Sequence, residues 1–268
     1  MTDLQKMEQE KSVLRWGGLA GLLGGILLVA VFVIFGVFVG PDPAEPEGFV
    51  MRFPDVRAAH IVEEVLYLGV LALWAAHFLA LYRALRAKSL APALFGSALG
   101  IMGLVVLAAG ALPQVARAPI SDLYHAPGAT SEDQATLVLL WQATQGILDA
   151  LLVTGLLLLP IGVIALGVAM LGTPAFGKGV GGVSVVIGVL GVAAGVVLLI
   201  DPGSPIAIVS ILSLIVFHIA LGWKVYSLSK KPVGILEERG DTGNDVGSEG
   251  DSNSTEPINV VQQGGETP

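Results

Sequence analysis

The sequence predicts an all-α integral membrane protein: a bundle of six transmembrane helices, both termini cytoplasmic, ending in a disordered acidic tail. Three observations carry that prediction. Of 268 residues, 54% are hydrophobic and 13% charged, against roughly 25% charged in a soluble domain, and mean hydropathy is +0.78. Six apolar runs are long enough to cross a hydrocarbon core of about 30 Å. Lys and Arg fall almost entirely on alternate connections, the bias that orients membrane helices.

The first span, about 17–39, follows a charged cytoplasmic segment, residues 1–16. Its apolar run is too long for a signal-peptide core, and Pro41-Asp42-Pro43-Ala44 offers no small-x-small cleavage site, so it is expected to be retained. The second, about 61–82, ends at Tyr82-Arg83, and the third covers about 92–113. The fourth, about 147–171, lies in a helical pattern from Thr136 to Leu171 of roughly 54 Å at 1.5 Å per residue. Trp141, Gln142 and Gln145 are therefore expected at or above the interface, and Pro160 allows a kink. Spans five and six cover about 179–200 and 206–223, completing a transmembrane domain over 17–229.

Placing the N-terminus inside puts Lys6, Lys11, Arg15, Arg83, Arg86, Lys88, Lys178, Lys224, Lys230, Lys231 and Arg239 on the cytoplasmic side. Only Arg52, Arg57 and Arg117 remain outside, as expected of a multi-pass prokaryotic cell-membrane protein with both termini cytoplasmic. The formal charge of −8 belongs mostly to the tail, since residues 232–268 hold eight acids against Arg239. That composition makes 230–268 a disordered cytoplasmic segment, and no basic patch argues for nucleic acid. Cysteine is absent, which removes disulfides, thiolate metal sites and c-type haem attachment.

Small residues recur four apart at Gly21 and Gly25, Gly96 and Gly100, and Gly191 and Gly195. Lipid tails supply no hydrophobic drive between helices, so close backbone approach matters. These pairs are expected to pack the bundle, the alternative being a homo-oligomer seam through the Gly-rich helices.

Candidate functional residues fall in two groups. His60, Glu63, Glu64 and Tyr67 share one face of the second span near its outer end, while Gln142, Gln145 and Asp149 form a stripe on the fourth at similar depth. Ionisable groups at membrane depth are costly and usually face the bundle interior, so these residues are expected to form an outward-facing polar pocket for a small ligand or cation. Headgroup-level solvation is the structural alternative. Asp201 lies at that level too. Deeper, His77 stands six residues before Arg83 and His218 six before Lys224, an inner pair at one depth. Interhelical hydrogen bonding is the expected role of that pair, with b-type haem ligation as the alternative. The H-x-x-E-E opening of the second span is not the zincin pattern, and no nucleophile–base set, P-loop or dinucleotide fingerprint occurs in a suitable context. No metal, cofactor or catalytic residue is therefore assigned, and the chain is read as a non-enzyme.

Two stretches carry a family likeness: Leu79 through Arg86 with Leu90-Ala91, and Gly162 to Gly167 through Gly172-Thr173-Pro174 into Gly182, Gly188 and Gly191. Over roughly residues 15–228 the chain resembles the prokaryotic multi-span membrane proteins grouped as domain of unknown function 4386. That resemblance implies a six-helix bundle without an assigned activity and supplies no site residue. The expected function is thus binding or transport of a small ligand or cation through the outer pocket. The alternative is a structural or regulatory membrane protein whose acidic tail recruits cytosolic partners.

Overall fold

The computed structural model describes residues 3–40, 43, 45–201 and 204–230; the acidic tail expected beyond residue 230 lies outside them. The described residues are helical, without a strand: α1 (Asp3–Ile34) with a π-helical turn at Phe35–Val39, α2 (Pro46–Leu85), α3 (Leu90–Ala109), α4 (Ala111–Tyr124), α5 (Ser131–Leu171), α6 (Lys178–Ile200) and α7 (Ile206–Ser229). Taking α3 and α4 together, six helices are long and apolar enough to cross a membrane. Their outward faces carry Leu23, Ile26, Phe95, Val105, Val186 and Val216, all exposed, an apolar surface that soluble proteins do not present.

Helix boundaries follow local chemistry. Pro113 has no N–H for the carbonyl four residues back, and its ring crowds that carbonyl; α3 accordingly stops at Ala109 and α4 restarts after Gly110. The helix expected to form the third span therefore runs on past residue 113, as α4 to Tyr124. Pro54 inside α2 similarly frees the Val50 carbonyl, and Ser121 Oγ of α4 donates to it at 3.3 Å. The fourth long helix, α5, begins five residues before the apolar pattern, because Thr130 and Asp133 form a reciprocal capping box at its start. At the far end of α1, Gly40 at φ +69° donates to Phe35 O, and Arg52 donates to Val39 O.

The helices form a ring. α1 packs between α2 and α7, α5 packs between α3 and α6, and α2–α3 and α6–α7 contacts close the circle. Glycines set the closest approaches. A Cβ at Gly162 would lie 2.5 Å from the Gly100 nitrogen and 2.6 Å from the Gly96 carbonyl, so the α5 and α3 backbones touch there. The six glycines at four-residue spacing all face helices of the same chain, Gly21 meeting His77 and Gly195 meeting Leu157.

Antiparallel packing gathers Arg15, Arg83, Arg86, Lys88, Lys178, Lys224 and Lys230 at one end of the ring, hereafter the basic end. Arg83 and Arg86 pair with Glu10 there, at 2.8 and 3.8 Å. At the opposite end α2 and α5, 40 and 41 residues long, extend for about 60 Å, twice a hydrocarbon core. With α4 they enclose a second apolar cluster of Val50, Phe53, Ile120, Tyr124 and Trp141. Tyr124 Oη donates to Glu47 at 2.7 Å, and Arg57 pairs with Asp122 at 2.9 Å.

Candidate functional site

Inside the ring, below that cap, lies a cavity of about 340 Å³. Its shape follows from helical periodicity. On α2, His60, Glu63, Glu64, Tyr67, Leu71 and Trp74 recur three or four apart and line it; on α5, Gln145, Asp149, Leu152 and Leu156 do the same. Each stripe is polar toward the cap and apolar toward the basic end. Phe32 and Phe35 of the α1 segment, Leu107 of α3 and Leu214 of α7 complete the apolar half. Phe35 opens the π-helical turn, a local irregularity that recurs at functional sites.

Six of the seven residues expected in the polar pocket therefore line one cavity. Gln142 does not. It is exposed, one turn above Gln145 but rotated away from the lumen, because Trp141 and Thr144 turn inward at that level. Asp201 is exposed at the end of α6, a helix that contributes nothing to the lining.

Two lining residues were not anticipated, Gln114 and Arg117 of α4. Read as part of an external connection, Arg117 becomes a buried side chain once α4 continues the third span; it is 7% exposed. Its guanidinium lies 5.2 Å from the Trp141 ring centroid and donates to Gln145 Oε1. Arginine can only donate, so Gln145 must present its oxygen to Arg117 and its amide to the other side. Gln145 Nε2 donates to Asp149 Oδ1 at 2.7 Å. The available signal was the spacing of Gly110, Gln114 and Arg117, one helical face running on past Pro113.

The carboxylates differ in their partners. Glu63 stands 3.3 Å from His60 Nδ1, and His60 stacks on Phe53 at 5.7 Å. Asp149 has Gln145. Glu64 feels the charges of Glu63, Arg117 and His60 but no hydrogen bond, which leaves its oxygens available to a guest. Three carboxylates thus face one permanent cation in a cavity whose other half is apolar. No three His, Asp or Glu side chains are grouped to hold a metal among the described residues.

The inner histidines are not merely level but in contact, with ring centroids 5.3 Å apart and both fully buried. His77 Nδ1 lies 2.8 Å from the Gly17 carbonyl. A Cβ at Gly21 would come within 2.7 Å of that ring, so α1 is shaped around it. His218 stacks on Trp74 at 3.9 Å and meets Phe78 and Phe217 edge to face. A porphyrin would have to separate rings that already pack against each other, so the haem alternative does not fit. No protein-family model, curated protein or solved structure is significantly similar to this chain.

Proposed function

We propose that the chain is a polytopic membrane protein, both termini cytoplasmic, that binds a small organic cation in the cavity between α1, α2, α4, α5 and α7. The observation that carries this reading is the excess of carboxylates, Glu63, Glu64 and Asp149, over the single guanidinium of Arg117 in one half-apolar cavity. In a low-dielectric site uncompensated like charges repel strongly, and a guest cation relieves that repulsion. The apolar half selects for a hydrocarbon body beneath the charged group, since about 340 Å³ is within the range of small-molecule sites. Glu64, without a hydrogen bond of its own, is the counter-ion; Arg117 and Gln145 hold Asp149 in place beside it.

The test compares benzyltrimethylammonium with benzenesulfonate, two guests of similar size and opposite charge, as thermal stabilisers of the detergent-solubilised chain. Ligand linkage predicts a rise of several degrees with the cation only, and its loss in Glu64→Gln. Equal stabilisation by both guests, or none by the cation, would overturn the reading.

A further inference from the structure

We infer that the bundle exchanges protons for the bound cation, and that the His77–His218 pair carries the proton between the cavity and the basic end. The inference rests on the cation-binding reading above and extends it. Two observations support it. First, ionisable side chains are absent from the helix interiors below the cavity except at this pair: α1 from Gly17 to Leu27, α3, α5 beyond Leu152 and α6 beyond Lys178 contain none. His77 and His218 each stand six residues from the basic end, about 9 Å along a helix. Second, both nitrogens of His218 and one nitrogen of His77 are left short of partners: His218 Nδ1, His218 Nε2 and His77 Nε2 are buried without a hydrogen bond. A residue kept only to fill space would be Leu or Phe, because each unsatisfied polar atom opposes folding.

The groups facing the pair are neutral on every side. α1 presents the Gly17 carbonyl and Gly21, α2 Trp74 and Phe78, α3 Ser97 and Gly100 behind Phe78, and α7 Phe217. The nearest ionisable groups along these helices are Tyr67 in the cavity and Arg15, Tyr82, Arg83, Lys224 and Tyr226 at the basic end. Trp74 joins the two regions, lining the cavity with one part of its surface and stacking on His218. Displacement of its indole is the gate.

A proton leaves a cavity carboxyl as the cation takes its place, and adds to the lone pair of one His218 nitrogen. The imidazolium releases the proton on its other nitrogen to His77 Nε2, whose lone pair is free because Nδ1 carries the hydrogen facing the Gly17 carbonyl. His77 then loses the Nδ1 proton toward the basic end. Both rings finish neutral in the opposite tautomer, and departure of the cation reverses each step and restores them.

The experiment uses the full chain in liposomes with a trapped pH dye and an imposed gradient of benzyltrimethylammonium, which has no N–H and cannot carry protons itself. Wild type should change the internal pH in a single step, by one proton for each cation bound. His77→Gln and His218→Gln should lose that response while the cation still raises their melting temperature. A wild type that binds the cation without moving protons, or glutamine variants that still move them, would overturn the exchange and leave the binding reading intact. Absence of cation binding in wild type would overturn both. Should the variants fail to fold, nitrogen NMR of histidine-labelled wild type decides: both buried rings must change tautomer or protonation when the cation is added, and fixed signals overturn the relay.

Discussion

Arg117 shows how one side chain organises the cavity. It stands between the Trp141 ring and the Gln145 amide, and through Gln145 it fixes which oxygen of Asp149 is already occupied. Its charge is also the one permanent offset to three carboxylates. Arg117→Met should therefore destabilise the empty protein by about 3 kcal/mol, the scale of removing one partner from a buried ion pair. Benzyltrimethylammonium should then stabilise the variant more than it stabilises wild type, because the guest replaces the missing charge. Thermal melts with and without the cation check both parts, and an unchanged melting temperature would remove Arg117 from the charge balance. Sequence alone indicated Glu63, Glu64 and Asp149 because carboxylates in an apolar run stand out. Arg117 was hidden by its neighbourhood, since Gly110 and Pro113 read as the end of a span and everything after them as a connection.

Among the elements, the contrast between α5 and α6 glycines tests how the ring is held together. Gly162 sits against backbone atoms of α3, which cannot swing aside, so Gly162→Ala should cost about 3 kcal/mol or more, the upper range for overpacking. Gly182 has nothing within 4 Å of its would-be Cβ. Gly182→Ala should be neutral or stabilising by about 0.5–1 kcal/mol through helix propensity. Denaturation of the two variants side by side is the check, and equal effects would contradict the packing. The α2 stripe was readable in advance because its polar residues keep a three-to-four spacing from His60 to Tyr67. Gln142 keeps the same spacing, but the inward turn of Trp141 and Thr144 leaves it outside the lumen. Periodicity gives a helix its faces without saying which neighbour each face meets.

For the whole molecule, the order of helices around the ring is what places His77 against His218, and small residues alone do not specify that order. Depth was readable from distance to the basic end; contact was not. The proposed orientation is directly checkable because the chain has no cysteine. Single cysteines at Lys88 and Lys178 should be shielded from an impermeant thiol reagent in intact cells, and those at Glu47 and His125 should be labelled; the reverse pattern would invert the bundle. The central claim, that an acid-lined cavity inside the bundle binds an organic cation, is tested most directly by the binding isotherm of benzyltrimethylammonium against pH. The ionisable groups facing the guest are His60, Glu63, Glu64 and Tyr67 of α2, Arg117 of α4 and Asp149 of α5, with none from α1 or α7. Carboxylates hold a cation only when deprotonated, so their protonation weakens binding as pH falls. One site per chain is expected, with affinity that falls as pH is lowered and that drops by about tenfold or more, ~1.4 kcal/mol, at pH 8 in Glu64→Gln. Binding that ignores pH and survives Glu64→Gln would contradict it.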